Sequence, residues 1–300
     1  MPAFFVVAGF FAAYLVQSRG PARFVMNRAQ RIALPLIIFW IPLSMANSWA
    51  SQATWLTGNF SFSIFPVDFG HLWFLYYLLV FYAVIWAFSG LWERLLSRKV
   101  SPTLTIILLV AIMPLIPGVF DKEGTLATSS QIIPAPGLLL LYGLVFFSGV
   151  IAFYQKEIWL EFMRSRAFLL LAILLTSFFV FFIIQDWELP FTGWVYSTAV
   201  VAGTYGSIGV FLRGSKPQGR LMKFLAESSY WVYLVHLPLV FFFLVIFSQL
   251  QFGAFATILL TISSTAFVGL IIYKLLVRHT PVSLLLNGKI HLLRKPESAG

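Results

Sequence analysis

Three hundred residues that are 60% hydrophobic, 18% aromatic and only 10% charged do not make a soluble domain, in which about 25% of residues are charged. Cysteine is absent, which excludes disulfides, thiolate metal sites and a cysteine nucleophile. The net charge of +10 would suit nucleic acid, but its placement along the chain points elsewhere.

Apolar segments run through residues 2–16, 32–49, 71–92, 102–120, 136–154, 167–185, 191–212, 228–248 and 254–277. They predict an all-α, polytopic transmembrane helical bundle of about nine helices. The first is short: fifteen residues at about 1.5 Å each reach roughly 22 Å, against a hydrocarbon core of about 30 Å. It has no basic segment before it and no small-residue cleavage site after it, so it is not a signal peptide. Prolines and glycines interrupt several spans, which membrane helices tolerate when neighbours satisfy the freed backbone. Residues 1–280 are expected to form one integral-membrane domain, and 281–300 a basic tail. No internal repeat is visible.

The segments between spans set the orientation. Arg19, Arg23, Arg28 and Arg31 lie in one; Arg94, Arg98 and Lys99 in another; Lys156, Arg164 and Arg166 in a third. Arg213, Lys216, Arg220 and Lys223 fall in a fourth, and Lys274, Arg278, Lys289, Arg294 and Lys295 follow the last span. These alternate segments hold nineteen of the twenty basic residues, and the other set holds only Lys122. Basic segments stay cytoplasmic, so the C-terminus is expected inside and the N-terminus outside. The positive charge therefore means topology and contact with anionic lipid, not nucleic acid.

The outer segments are aromatic and acidic. Residues 50–70 follow Trp49 and hold Trp55, Phe60, Phe62, Phe65 and Asp68. Residues 121–135 hold Asp121 and Glu123, and residues 185–194 hold Asp186, Trp187, Glu188 and Trp194. An interfacial aromatic belt explains them. Rings beside carboxylates also suit sugar binding.

Chemistry is concentrated in few places. Within Ser228-Ser229-Tyr230-Trp231-Val232-Tyr233-Leu234-Val235-His236-Leu237-Pro238, one histidine stands inside an apolar run. On a helix Ser229, Tyr233 and His236 share a face, and Pro238 removes an N–H beside them. An ionisable group at that depth is a functional candidate; the plain alternative is a neutral histidine bonded to a neighbouring helix. His71, in Gly70-His71-Leu72-Trp73-Phe74-Leu75, is either a second functional histidine or an interfacial residue. Arg28 and Arg31 present two guanidinia on one helical face. They are either a topology signal or a phosphate site. Glu227 lies one turn after Lys223 at the inner end of its span. The four histidines, His71, His236, His279 and His291, have no metal-ligand spacing, so no metal is expected.

The run 228–238 resembles the late-helix motif of the membrane acyltransferase-3 family. Met1-Pro2-Ala3-Phe4-Phe5-Val6-Val7-Ala8-Gly9-Phe10-Phe11 and Asn27-Arg28-Ala29-Gln30-Arg31-Ile32-Ala33-Leu34-Pro35 resemble earlier blocks of it. His71-Leu72-Trp73-Phe74-Leu75 is similar to a block of the branch containing the glucan biosynthesis protein C type succinyltransferases. The order and spacing of the blocks agree over essentially the whole chain.

The resemblance implies an inner-membrane enzyme of about ten helices. It would move an acyl group, of acetyl or succinyl type, from a cytoplasmic acyl-CoA donor to a glycan or other envelope acceptor, with no bound cofactor. It implies catalytic roles for His236 and His71, support from Ser229 and Tyr233 as donors to a developing oxyanion, and donor binding by Arg28 and Arg31. Family members normally begin with one more helix, bearing a basic residue and a histidine. Here Met1 stands at what resembles their second, so a fragment or a misplaced start is expected. The alternatives are a transporter or flippase for a glycan or lipid intermediate, and an inactive remnant.

Overall fold

Long apolar runs leave the backbone no partner but itself, and in lipid only the helix satisfies every N–H and C=O within one segment. The computed structural model describes residues 1–52, 69–96, 99–121, 124–128, 133–185, 191–214, 219–250 and 252–288. Among them the elements are helical, apart from a single β-bridge between Phe120 and Leu126. The helices are α1 (Pro2–Arg19), α2 (Pro21–Ser51), α3 (Gly70–Ala87), α4 (Pro102–Leu115), α5 (Pro136–Tyr154), α6 (Lys156–Ile184), α7 (Thr192–Gly214), α8 (Arg220–Gln249), α9 (Ala254–Val277) and α10 (Pro281–Asn287). A single turn, Trp92–Leu95, lies between α3 and α4. Proline opens α1, α2, α4, α5 and α10, where its missing N–H has no helical acceptor in any case.

Eight of these helices are long and apolar enough to cross a membrane. The chain is a multi-pass membrane protein. The expected span at 102–120 is the exception: α4 stops at Leu115, and Ile116 is extended. Pro114 and Pro117 remove two N–H donors there, and Gly118 at φ 74° turns the chain away. The basic segments also differ from expectation. Lys156–Arg166 and Arg220–Lys223 are helical beginnings of α6 and α8 rather than loops. Gly20, at φ 80°, makes the only break in helix between Pro2 and Ser51. The expected tail starts with helix α10.

The chain divides into two compact units. The first is Met1–Asn27 with Tyr76–Pro217, and the second is Arg28–Leu75 with Gln218–Gly300. In the first, α1 packs on α5, and α6 on α7. Small residues permit these approaches. A Cβ on Gly9 would overlap the carbonyl of Phe146, and one on Gly149 would overlap that of Val6. Gly209 meets Met163 and Ala167 in the same way. Such contacts suit membrane helices, which associate by close packing because lipid supplies no hydrophobic drive between them. Phe5 lies 4.7 Å from Tyr142, and Phe81 5.2 Å from Phe146, ring to ring. One buried polar contact joins α5 to α7: Ser148 Oγ donates to the Val145 carbonyl at 2.6 Å and lies 2.7 Å from Tyr205 Oη.

In the second unit, α8 packs against α9 and against the Leu34–Ser51 stretch of α2. Two segments are wound as π-helix, Ala29–Ala33 within α2 and Tyr273–Val277 at the end of α9. The short helix α10 packs against both. Asn287 ties it down by donating to Tyr273 Oη at 3.0 Å.

Much of the outer aromatic set, namely Trp55, Phe60, Phe62, Phe65, Asp68, Glu123, Asp186, Trp187 and Glu188, lies outside the described residues, as do Arg98, Lys122, Lys216, Lys289, His291, Arg294 and Lys295. Of those described, Asp121 accepts from the Thr125 N–H and hydroxyl at 2.7 and 2.6 Å, and Trp194 donates to the Ala111 carbonyl at 3.3 Å. Both side chains bond to the protein itself.

Candidate functional site

A proline inside a helix leaves one carbonyl without its donor, the carbonyl four residues earlier. Pro238 lies within α8, so the carbonyl it frees is that of Leu234. His71 Nε2 is 2.8 Å from that oxygen. A carbonyl only accepts, so Nε2 carries the proton and donates. The same device recurs in α2, where Pro35 frees the carbonyl of Arg31 and the Tyr230 hydroxyl donates to it at 3.0 Å. Each proline thus converts a point on a helix into an acceptor for a side chain from another helix.

Leu234 is fully buried, and His71 is 8% exposed. His71 occupies a single 3₁₀ turn, Gly70–Leu72, with which α3 begins. Gly70 at φ 47° sets that turn. The His71 ring is thus enclosed and bonded to the middle of α8. Tyr233 reaches back to the same turn and donates to the His71 carbonyl at 2.7 Å. The two bonds, one from each side, hold His71 against α8. The Asn47 amide nitrogen lies a long 3.5 Å from His71 Nδ1. Asn47 Oδ1 is enclosed without a hydrogen-bond partner among the described residues.

His236 stands beside this turn. Its ring centroid is 5.1 Å from that of His71, and the planes are nearly perpendicular at 84°. His236 Nδ1 donates to the Tyr233 carbonyl one turn earlier at 2.5 Å. In the neutral ring the lone pair then falls on Nε2. Tyr233 completes the group, with its ring 5.9 Å from His71 and 5.8 Å from His236.

The structure therefore brings His71, His236 and Tyr233 together. The hydroxyl proton of Tyr233 is directed at the His71 carbonyl. Ser229 does not join the group. It is exposed, and its hydroxyl donates to the Ala226 carbonyl at 2.8 Å. Tyr230 is the neighbour of Tyr233 instead, with rings stacked at 6.5 Å.

Arg28 and Arg31 fare differently from the α-helical expectation. The chain between them enters the π segment, whose wider turn does not keep i and i+3 on one face. The Arg31 guanidinium lies against Gly288, the left-handed residue that ends α10, where a Cβ would overlap it. A cation at a helix C-terminus is favourable. No group of His, Asp or Glu able to hold a metal occurs among the described residues.

The family model of the acyltransferase-3 domain matches residues 1–274, nine-tenths of the chain, and covers all of this constellation. The chain belongs to the acyltransferase-3 family. It is thus a membrane acyltransferase. No curated protein and no solved structure matches it. Sequence reasoning found the histidines of this acyltransferase but missed Asn47, Tyr230 and the Leu234 carbonyl. The signal for the last was present, since Pro238 stands four residues after Leu234.

Proposed function

We propose that this acyltransferase transfers an acetyl- or succinyl-type acyl group from a cytoplasmic acyl-CoA to a hydroxyl of a glycan or other envelope acceptor, with His236 as general base. The observation that carries the reading is the state of the His236 ring. Its Nδ1 is engaged by its own helix, which leaves the Nε2 lone pair beside a second histidine held in place. Nε2 takes the proton of the acceptor hydroxyl as that oxygen attacks the thioester carbonyl. The C–O bond forms and the C–S bond breaks. The CoA thiolate leaves and recovers the proton from His236. Such proton transfer contributes about 10²–10⁴ in rate. His71 keeps the pair aligned through Leu234.

Arg28 and Arg31 are the proposed holders of the donor's phosphates, since arginine offers a rigid fork of donors. The uneven distribution of basic residues supports an inner-membrane protein with these arginines and the C-terminus in the cytoplasm.

The test is mass spectrometry of envelope glycans and lipids from cells carrying the gene, lacking it, or carrying His236→Gln. An acylated species present only with the wild-type gene is the expected result. Identical spectra from all three would remove the acyl-transfer reading.

A further inference from the structure

Away from the histidine pair, the second unit holds a basic cavity of about 570 Å³. It is lined by Arg220, Lys223, Phe224 and Glu227 from the first two turns of α8, and by Lys274 and Arg278 from the end of α9. The spacing explains the convergence. Arg220, Lys223, Phe224 and Glu227 are separated by steps of three, one and three residues, so they share one helical face. Lys274 lies in the π segment and Arg278 just past it, where the Arg278 N–H bonds five residues back to the Tyr273 carbonyl at 2.8 Å.

We propose that this cavity seats a phosphate group. Four cations and one carboxylate leave the lining three charges positive. Such crowding costs Coulomb energy that an entering dianion would relieve. The α8 N-terminus adds its unpaired N–H groups and the positive end of its dipole, and Gly219 at its cap provides no side-chain acceptor for them. Arg278 is held in place, with its guanidinium 5.9 Å from the centre of the Phe224 ring, which in turn lies 5.8 Å from the Tyr273 ring. Arg278 Nε is enclosed and has no hydrogen-bond partner among the described residues. The volume falls within the range of about 300–1,000 Å³ usual for small-ligand sites.

Two sources carry this chemistry, the headgroup of an anionic phospholipid and the phosphates of a soluble nucleotide-type molecule. The seat does not depend on the acyl-transfer reading, and its test uses binding alone. Purified protein in neutral detergent is titrated with coenzyme A, and protein in nanodiscs is compared in phosphatidylglycerol and phosphatidylcholine by thermal stability. The variants are Lys274→Gln/Arg278→Gln and, since both lysines are exposed and folding is not at stake, Lys223→Gln/Lys274→Gln. The control Arg23→Gln/Arg164→Gln removes the same charge from exposed positions elsewhere.

Loss of a charge-assisted contact is expected to weaken binding by about tenfold or more in the cavity variants and not in the control. Weakened coenzyme A binding identifies the soluble source. Loss of the stabilisation by phosphatidylglycerol identifies the lipid. If the cavity variants and the control behave alike in both arms, there is no phosphate seat and the charges only set topology.

Discussion

His71 Nε2 donates to the carbonyl of Leu234, the one acceptor in α8 that Pro238 deprives of its helical donor. The proline is therefore part of the site, although it bears no chemical group of its own. The binding point for His71 arises from that missing hydrogen.

Restoring the hydrogen should uncouple stability from activity. Pro238→Ala gives Leu234 a helical donor, which competes with His71. Proline in a helix interior costs about 3 kcal/mol or more, so the variant is expected to melt at an equal or higher temperature. Transfer should fall about fivefold if alignment of His71 is worth one hydrogen bond, on the order of 1 kcal/mol. Thermal unfolding and turnover on one sample check this. Unchanged turnover would show that the bond has no part in catalysis.

His236→Gln separates a base from a structural residue. Glutamine can still donate to the Tyr233 carbonyl but cannot shuttle a proton at neutral pH. The folded yield should hold while transfer drops by about 10²–10⁴. Wild-type turnover in this variant would exclude His236 as the base.

Close helix approach in the first unit predicts a packing defect. Gly149→Ala drives a Cβ into the Val6 backbone carbonyl, whereas Gly90→Ala meets nothing within 4 Å. Overpacking of this kind costs about 1–3 kcal/mol, and the backbone here has no flexible end to yield. A lower unfolding temperature is expected for Gly149→Ala alone, and equal behaviour of the two would deny the α1–α5 contact.

Orientation can be read by single-cysteine labelling, since the chain has no cysteine. Arg23, in the first turn of α2, and Thr128, between α4 and α5, are exposed positions that the distribution of Lys and Arg places on opposite sides. An impermeant thiol reagent on intact cells should modify Thr128→Cys and spare Arg23→Cys. The reverse pattern would invert the topology.

What the sequence determined by itself is whatever depends on local pattern and summed charge. Apolar length makes helices because a lone strand cannot satisfy its backbone in lipid. The one-sided distribution of Lys and Arg sets an orientation without any tertiary contact. Short blocks around Arg28, His71 and His236 carried the family, because order and spacing survive in one dimension. Span ends were less legible: Pro114, Pro117 and Gly118 shorten α4 through backbone geometry that hydropathy does not see.

Only the tertiary structure decided which residues make the site. His71 and Leu234 are 163 residues apart, and no periodicity relates the 3₁₀ turn at the start of α3 to the middle of α8. Helical spacing put Ser229, Tyr233 and His236 on one face, yet the His71 turn meets only the half-buried Tyr233–His236 end and leaves Ser229 exposed. Likewise the i, i+3 rule paired Arg28 with Arg31, but the chain between them is wound as π-helix and the Arg31 guanidinium lies against Gly288 at the end of α10. Sequence periodicity says which side chains share a face; which part of that face meets another helix is settled by packing.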